Sequence, residues 1–371
     1  MKPAVSLTVM VKAARPLVEK TSDLQGIPRA FRPNPLTAEE MQFYSDSLNR
    51  RRGNQLQRRM RDDLLNSAEQ GFFFKGVLYG NRGTGKSTEI NRMLEDPDVC
   101  RRFLVIRLDA LDQLNPQTFS VADVLLLLGV SLIEGCQTAC DQDGRAFHEA
   151  PTMINDLQQQ LAPFFPELQN KEQKTTTTGG GGELNILQVV KLMIRVEGQR
   201  RVDITSQRES LANLRALLDR LISIAQARMP EYELLIIGEN FDKEQIPQAL
   251  LVDTFVQYSA VLRDLRLHLL FTLPVPFVYS YGEQLPFNRA NRYPIYDIPV
   301  FTENHQPEME GRAALIELLE KRASLDDVFA KDALDLLLRA SGGDLFLLFA
   351  LINRAGQLAL YRHEDDRNRP D

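Results

Sequence analysis

The chain has 371 residues and a formal net charge of -6, with 43% hydrophobic and 25% charged residues. That length supports one to three domains around a large core, and the mix excludes a collagen, a disordered tail and a disulfide scaffold. The acidic balance supplies no global basic field, so a nucleic-acid contact would have to come from a local cluster.

Residues 1–70 are expected to form a helical N-terminal segment. Thr37 and Glu40 have capping-box spacing, which predicts a helix start. Residues 49–61 carry six arginines, at 50, 51, 52, 58, 59 and 61. They read as a solvated helix face, with phosphate binding as the alternative. The apolar run at 72–79 predicts a buried strand, followed by a helix over 85–95 and a second strand at 103–108. Residues 121–139 are apolar nearly all round, which predicts a buried helix. No apolar run reaches the roughly 20 residues of a membrane span, and the N-terminus is too weak for a signal peptide. The chain is therefore read as cytoplasmic. The three cysteines, Cys100, Cys136 and Cys140, form no CxxC and fit a reducing compartment. Cys136 and Cys140 read as small apolar residues on a helix face rather than as a metal pair with His148.

An insertion is expected around 141–204. Residues 174–182 contain TTTTGGGG, which reads as a flexible linker or a loop tip. Residues 184–196 fit strand or helix. Leucines at 211, 214, 217, 218 and 221 form a stripe that predicts a long helix over 205–227. Further strands are expected at 233–237, 267–273 and 296–301, with a helix at 250–265. From 307 onward the pattern is helical only, near 307–322, 330–340 and 344–361. Alternating strands and helices predict an α/β fold, a parallel sheet flanked by helices, and the glycine loop described next makes it a P-loop NTPase sheet. The expected domains are the helical segment 1–70, a core 71–304 and a small C-terminal helical lid 305–371.

The segment GNRGTGKS at 80–87 matches GxxxxGK[ST] at every fixed position, between an expected strand and an expected helix. Gly80, Gly83 and Gly85 let the backbone bend around phosphate, and the loop residues Asn81, Arg82 and Thr84 complete the N–H cradle. Lys86 is expected to reach the β- and γ-phosphates, Ser87 to offer its hydroxyl to Mg²⁺, and Thr88 to sit near the α-phosphate. ATP and Mg²⁺ are the expected ligands, because the chain lacks the [NT]KxD motif that reads guanine. Such a loop also needs a carboxylate at a neighbouring strand end. Glu239 in LLIIGENFDK is favoured, and Asp109 in FLVIRLD is its competitor. For both, the alternative is a carboxylate that caps the next turn.

GNRGTGKSTEI together with LLIIGENFDK resembles the bacterial AAA+/STAND class of P-loop ATPases, many of which carry an hhhhDGLDK strand end. The resemblance implies that Glu239 takes the aspartate position and holds Mg²⁺ through water, with Asp242 and Lys243 as the closing pair. Thr272, in LHLLFTLPVPF, falls near the polar sensor place. SGGDLFLLFALINRA resembles the lid-helix pattern SGGxxRxLLxLxxxA. Three departures stand out. Lys86 and Glu239 lie farther apart than in a minimal core. Asn240 falls where relatives carry a water-activating glutamate. An amide cannot accept the proton, which implies slow hydrolysis or Asp242 as a substitute base. Phe346 falls at the lid arginine. Arg289 and Arg292 stand in the loop where relatives place an arginine finger, with a solvated loop arginine as the alternative.

The resemblance implies an ATPase whose nucleotide state controls conformation, homo-oligomer assembly or signalling to a protein partner in trans, as in bacterial defence modules. The alternatives are an ATP-bound scaffold that does not hydrolyse, a P-loop small-molecule kinase, and a DNA-linked ATPase using the arginines at 50–61.

Overall fold

The computed structural model describes residues 6–7, 19–52, 55–161, 191, 204–330 and 332–367. The threonine–glycine segment at 174–182 lies outside the described residues, as does 184–196 apart from Lys191. Among the described residues there are six strands: β1 Ser6–Leu7, β2 Lys75–Gly80, β3 Phe103–Asp109, β4 Glu233–Glu239, β5 His268–Leu273 and β6 Arg292–Ile295. They form one sheet in the order β1-β3-β4-β5-β2-β6, and the pairs β1–β3, β3–β4 and β4–β5 are parallel. Strands β3, β4 and β5 are almost wholly buried, as strands covered on both faces by helices must be. The register sets Asp109 opposite Glu239, so the two acidic residues end neighbouring strands. Helix α1, Lys86–Leu94, follows β2 through the glycine loop. This is the α/β P-loop NTPase fold.

By contacts the chain divides into two interleaved units. One comprises Met1–Val9, Asp63–Leu78 and Pro97–Arg292; the other comprises Met10–Asp62, Tyr79–Asp96 and Tyr293–Asp371.

In the first unit, helix α2, Val121–Gln142, starts at a capping box in which Ser120 and Asp123 bond each other's backbone N–H. Its apolar surface packs against β3 and against helix α3, Ile204–Arg228. Among the described residues, α2 is the one helix long and apolar enough to cross a membrane, and most of it is buried in this core. The helix expected at 250–265 is broken. Two short α-helices, Gln248–Val252 and Ser259–Arg263, flank a π turn at Asp253–Gln257. The wider turn accompanies the burial of Phe255, whose ring meets Phe241, Phe271 and Phe287 at centroid distances of 5.5, 5.1 and 6.1 Å.

In the second unit, residues from both ends of the chain share one core. Ile27, Phe31, Phe43 and Leu48 pack with Ile298, Leu315, Leu348 and Phe349. The longer C-terminal helices are α4 Met309–Glu320, α5 Ala333–Ser341 and α6 Leu345–Arg367. Polar ties reinforce the packing: Arg322 donates to Ala30 O at 3.0 Å and Asn353 to Phe31 O at 2.8 Å. The capping box at Thr37 and Glu40 forms, but it opens a 3₁₀ helix, Ala38–Phe43. The strand expected at 296–301 is not a strand. β6 ends at Ile295, and the backbone beyond it bonds elsewhere: Ile298 N to Gly343 O, and Val300 O from Glu308 N and Arg312 Nε.

Candidate functional site

The glycine loop is built as its sequence requires. Gly85 caps α1 with φ of 92°, and Gly83 sits at φ of 83°, both in the left-handed region that side chains other than glycine rarely adopt. Gly83 is also too close to Phe346 for any Cβ to fit. Lys86 folds back over the loop and is only 7% exposed. Its Nζ donates to Gly80 O at 2.8 Å and to Asn81 O at 2.7 Å. Thr84 is buried and donates to Asn81 O at 2.9 Å. Ser87 is partly exposed at the first turn of α1. Thr88 Oγ1 accepts from the Leu36 N–H at 3.3 Å, and Asn91 donates to Leu36 O at 2.7 Å, which ties α1 to the N-terminal segment. Asn81 donates to Asp297 Oδ2 at 2.7 Å, and the Arg82 guanidinium lies 4.8 Å above the Phe346 ring.

A buried polar network stands behind the loop, which sequence reasoning did not find. Arg52 donates to Thr84 O at 2.7 Å and pairs with Glu89 at 3.5 Å. Glu89 also accepts from Tyr44 at 2.8 Å and from Asn49 at 3.3 Å. Burial pushes the Glu89 carboxyl up, with Arg52 opposing, and pulls the Arg52 guanidinium down, with Glu89 opposing. Burial and the neighbouring Glu89 push the Tyr44 phenol up. The arginines at 50–61 therefore do not form a single solvated face. Arg52 is inside, Arg51 pairs with Glu308, Arg59 lies 5.6 Å over the Tyr293 ring, and Arg61 pairs with Asp62 and Asp96. Arg52 carries no separate signal in the sequence; it is one arginine in a run.

The acidic strand ends belong to the other unit. Glu239 Oε2 accepts from Arg107 Nη1 at 3.0 Å, and both side chains are mostly buried. Asp109 instead caps the short helix Ala110–Gln113, its Oδ1 accepting from Leu111 N at 2.9 Å and Asp112 N at 3.2 Å. Its Oδ2 accepts from Asn240 Nδ2 at 2.6 Å. Burial raises the Asp109 carboxyl, and those N–H donors oppose the rise. Asp109 is thus a capping carboxylate and Glu239 is not. Asn240 has φ of 64°, which turns the chain so that Phe241 enters the aromatic core. Thr272, buried at the end of β5, donates to Asp242 Oδ1 at 3.2 Å, so these two expected site residues are brought together.

The two loop arginines differ. Arg289 opens a short 3₁₀ helix, Arg289–Asn291, and is exposed. Arg292 opens β6, and its guanidinium is held within its own loop by Gly282 O at 2.5 Å and Glu283 at 3.2 Å. Among the described residues, no cluster of three or more His, Cys, Asp or Glu is placed to hold a metal.

No family model matches the chain, and no curated protein matches it. Four solved chains are similar. One is the crystal structure of Cdc6p from Pyrobaculum aerophilum, with 11% identity and a TM-score of 0.38, covering 83% of this chain and 62% of that one. The chain thus spans less than two thirds of that neighbour's length.

Proposed function

We propose that this chain binds Mg-ATP at the loop from Gly80 to Ser87, and that nucleotide state controls its conformation, assembly or signalling to a protein partner, as in AAA+/STAND-type ATPases. The observation that carries this reading is the loop itself. Two left-handed glycines, a buried lysine at the loop carbonyls and a nine-residue helix starting at Lys86 form a ready cradle for phosphate. The donor set fits a triphosphate. Lys86 supplies the charge, the backbone N–H groups before α1 supply directed donors, and Ser87 supplies a hydroxyl for Mg²⁺. A magnesium ion held by one hydroxyl, phosphate oxygens and water needs no cage of protein carboxylates. The likeness of LLIIGENFDK to the strand end of such ATPases is what supports Glu239 as its water-mediated carboxylate. The C-terminal helices beyond 305 act as the lid.

Hydrolysis in this reading is slow. Asn240 has no basic atom, and its amide is committed to Asp109. The same bond favours a second reading, an ATP-retaining scaffold without turnover. Equilibrium dialysis of ATP and a turnover assay, on the native chain and on Lys86→Ala, decide between them. Saturable binding and turnover that both fall in Lys86→Ala support the switch. Binding that falls in Lys86→Ala, with no turnover in either protein, supports the scaffold. No ATP binding by the native chain overturns both.

A further inference from the structure

Arg82 fills a variable position of the P-loop pattern, so the motif does not explain an arginine there. In the structure it has a definite neighbour. Its guanidinium lies 4.8 Å over the ring of Phe346, the second residue of α6. The next residue, Gly83, meets the same side chain, and an added Cβ there would overlap Phe346 Cβ and lie 3.2 Å from Phe346 N. The start of α6 is itself well determined. Asp344 Oδ1 accepts from Leu347 N at 2.9 Å, and Asp344 O accepts from Leu348 N at 2.9 Å. On the other flank Asn81 donates to Asp297 Oδ2 at 2.7 Å. The two grips are connected, because Ile298 N donates to Gly343 O at 3.4 Å. Consecutive loop residues are therefore held by two segments of the C-terminal part, all within one unit. Of these grips, Arg82 on Phe346 is the one that a phosphate can outcompete. An exposed cation over a half-buried ring is a weak contact, whereas a guanidinium on a phosphate makes charge-assisted, bidentate hydrogen bonds.

We propose that Arg82 is a two-position reporter of the terminal phosphate. With a diphosphate it stays on Phe346 and ties the loop to α6. With a triphosphate it turns to the γ-phosphate and releases the start of α6. Arg82 is thus a positioning residue that converts the presence of one phosphate into the freedom of one helix. The proposal rests on the reading of this loop as an ATP site.

The chain contains no tryptophan, so Phe346→Trp places a single emitter under the Arg82 cation and keeps an aromatic face for it. Full-length protein carrying Phe346→Trp would be saturated with ADP or with a slowly hydrolysed ATP analogue, occupancy being fixed by equilibrium dialysis. The expected result is a change in tryptophan emission with the analogue that ADP does not produce. Adding Arg82→Ala abolishes that difference, and Arg82→Lys restores part of it. In the otherwise unaltered chain, Arg82→Ala weakens the triphosphate about tenfold, as expected for losing a charge-assisted contact, and moves ADP less than about twofold. Because Arg82 is exposed, this second measurement decides the question even where Phe346→Trp does not fold. Equal emission with both nucleotides, a difference that survives Arg82→Ala, or equal weakening of both nucleotides overturns the proposal while leaving the ATP site standing. Absence of any nucleotide binding by the native chain overturns the ATP site and the proposal together.

Discussion

Asn240 donates its side-chain amide to the Asp109 carboxylate across 2.6 Å, tying the turn after β4 to the end of β3. The same residue holds φ at 64°, a conformation that asparagine tolerates and most side chains do not. One residue thus meets two demands, and this explains why a longer acidic side chain is absent from the position. A glutamate there would be strained and would bring a second charge against Asp109.

The two demands can be separated. Asn240→Gly keeps the left-handed backbone and loses the amide, whereas Asn240→Ala loses both. The alanine variant is expected to be less stable than the glycine variant by about 1–2 kcal/mol, the cost of a left-handed residue that carries a Cβ. Urea midpoints measure this. Equal midpoints for the two variants would contradict the strain argument.

The network behind the P-loop makes a sharper demand on stability. Arg52→Ala leaves Glu89 buried without its cation, and Thr84 O without a donor. Breaking a buried pair on one side costs about 3–5 kcal/mol. Glu89→Gln in the same chain removes the stranded charge, while its amide can still meet Tyr44 and Asn49. The double variant Arg52→Ala/Glu89→Gln is therefore expected to recover part of the loss in chemical denaturation. A double variant weaker than Arg52→Ala alone would show that the charge of Glu89 is not the problem.

The loop arginines are distinguishable by experiment. Arg292 is bonded to Gly282 O and Glu283, so Arg292→Ala is expected to loosen its own loop and lower the thermal midpoint. Arg289 is exposed on a short helix and can be removed at little cost in stability. Were Arg289 a finger acting on a neighbouring copy, Arg289→Ala would reduce turnover by about 10³ or more at concentrations where copies associate. Turnover per chain that is independent of protein concentration, and unchanged in Arg289→Ala, would remove it from the mechanism.

The sheet and the P-loop were legible because each is written locally. A buried strand is a short apolar run, and the loop's glycines are adjacent in sequence. What could not be read are contacts between residues distant in sequence. Arg52 looks like the arginines beside it until Thr84 and Glu89 come against it. The choice between Asp109 and Glu239 as a capping carboxylate turns on two backbone N–H groups and the amide of Asn240. The strand expected at 296–301 fails for the same reason, since Gly343, Glu308 and Arg312 take the hydrogen bonds that a sheet neighbour would have taken. The helix at 250–265 has the right composition, but burial of Phe255 between three other rings comes with a π turn that periodicity does not announce.

Lys75 sets a pH dependence that can be tested away from the P-loop. Its Nζ donates to Leu265 O at 2.8 Å and to Leu267 O at 2.6 Å, and the side chain is buried at the start of β2. Burial pulls the amine from 10.5 down to about 7, with Asp264 opposing. Above that value the folded chain holds a neutral amine, whose two N–H groups still match the two carbonyls. Between about pH 7 and 10.5 the unfolded chain binds a proton that the folded chain does not, so stability rises with pH across that window. The rise amounts to a few kcal/mol at most. His268 acts in a separate range. Its Nδ1 accepts from Phe74 N at 3.0 Å, and burial pulls the imidazole below 6.5, so stability falls as pH drops below that value. Urea midpoints measured from about pH 5 to about pH 10 are expected to climb in both windows, and Lys75→Met is expected to flatten the upper one only. A native midpoint that falls between pH 7 and 10, or an upper window unchanged in Lys75→Met, would mean that the buried amine stays charged.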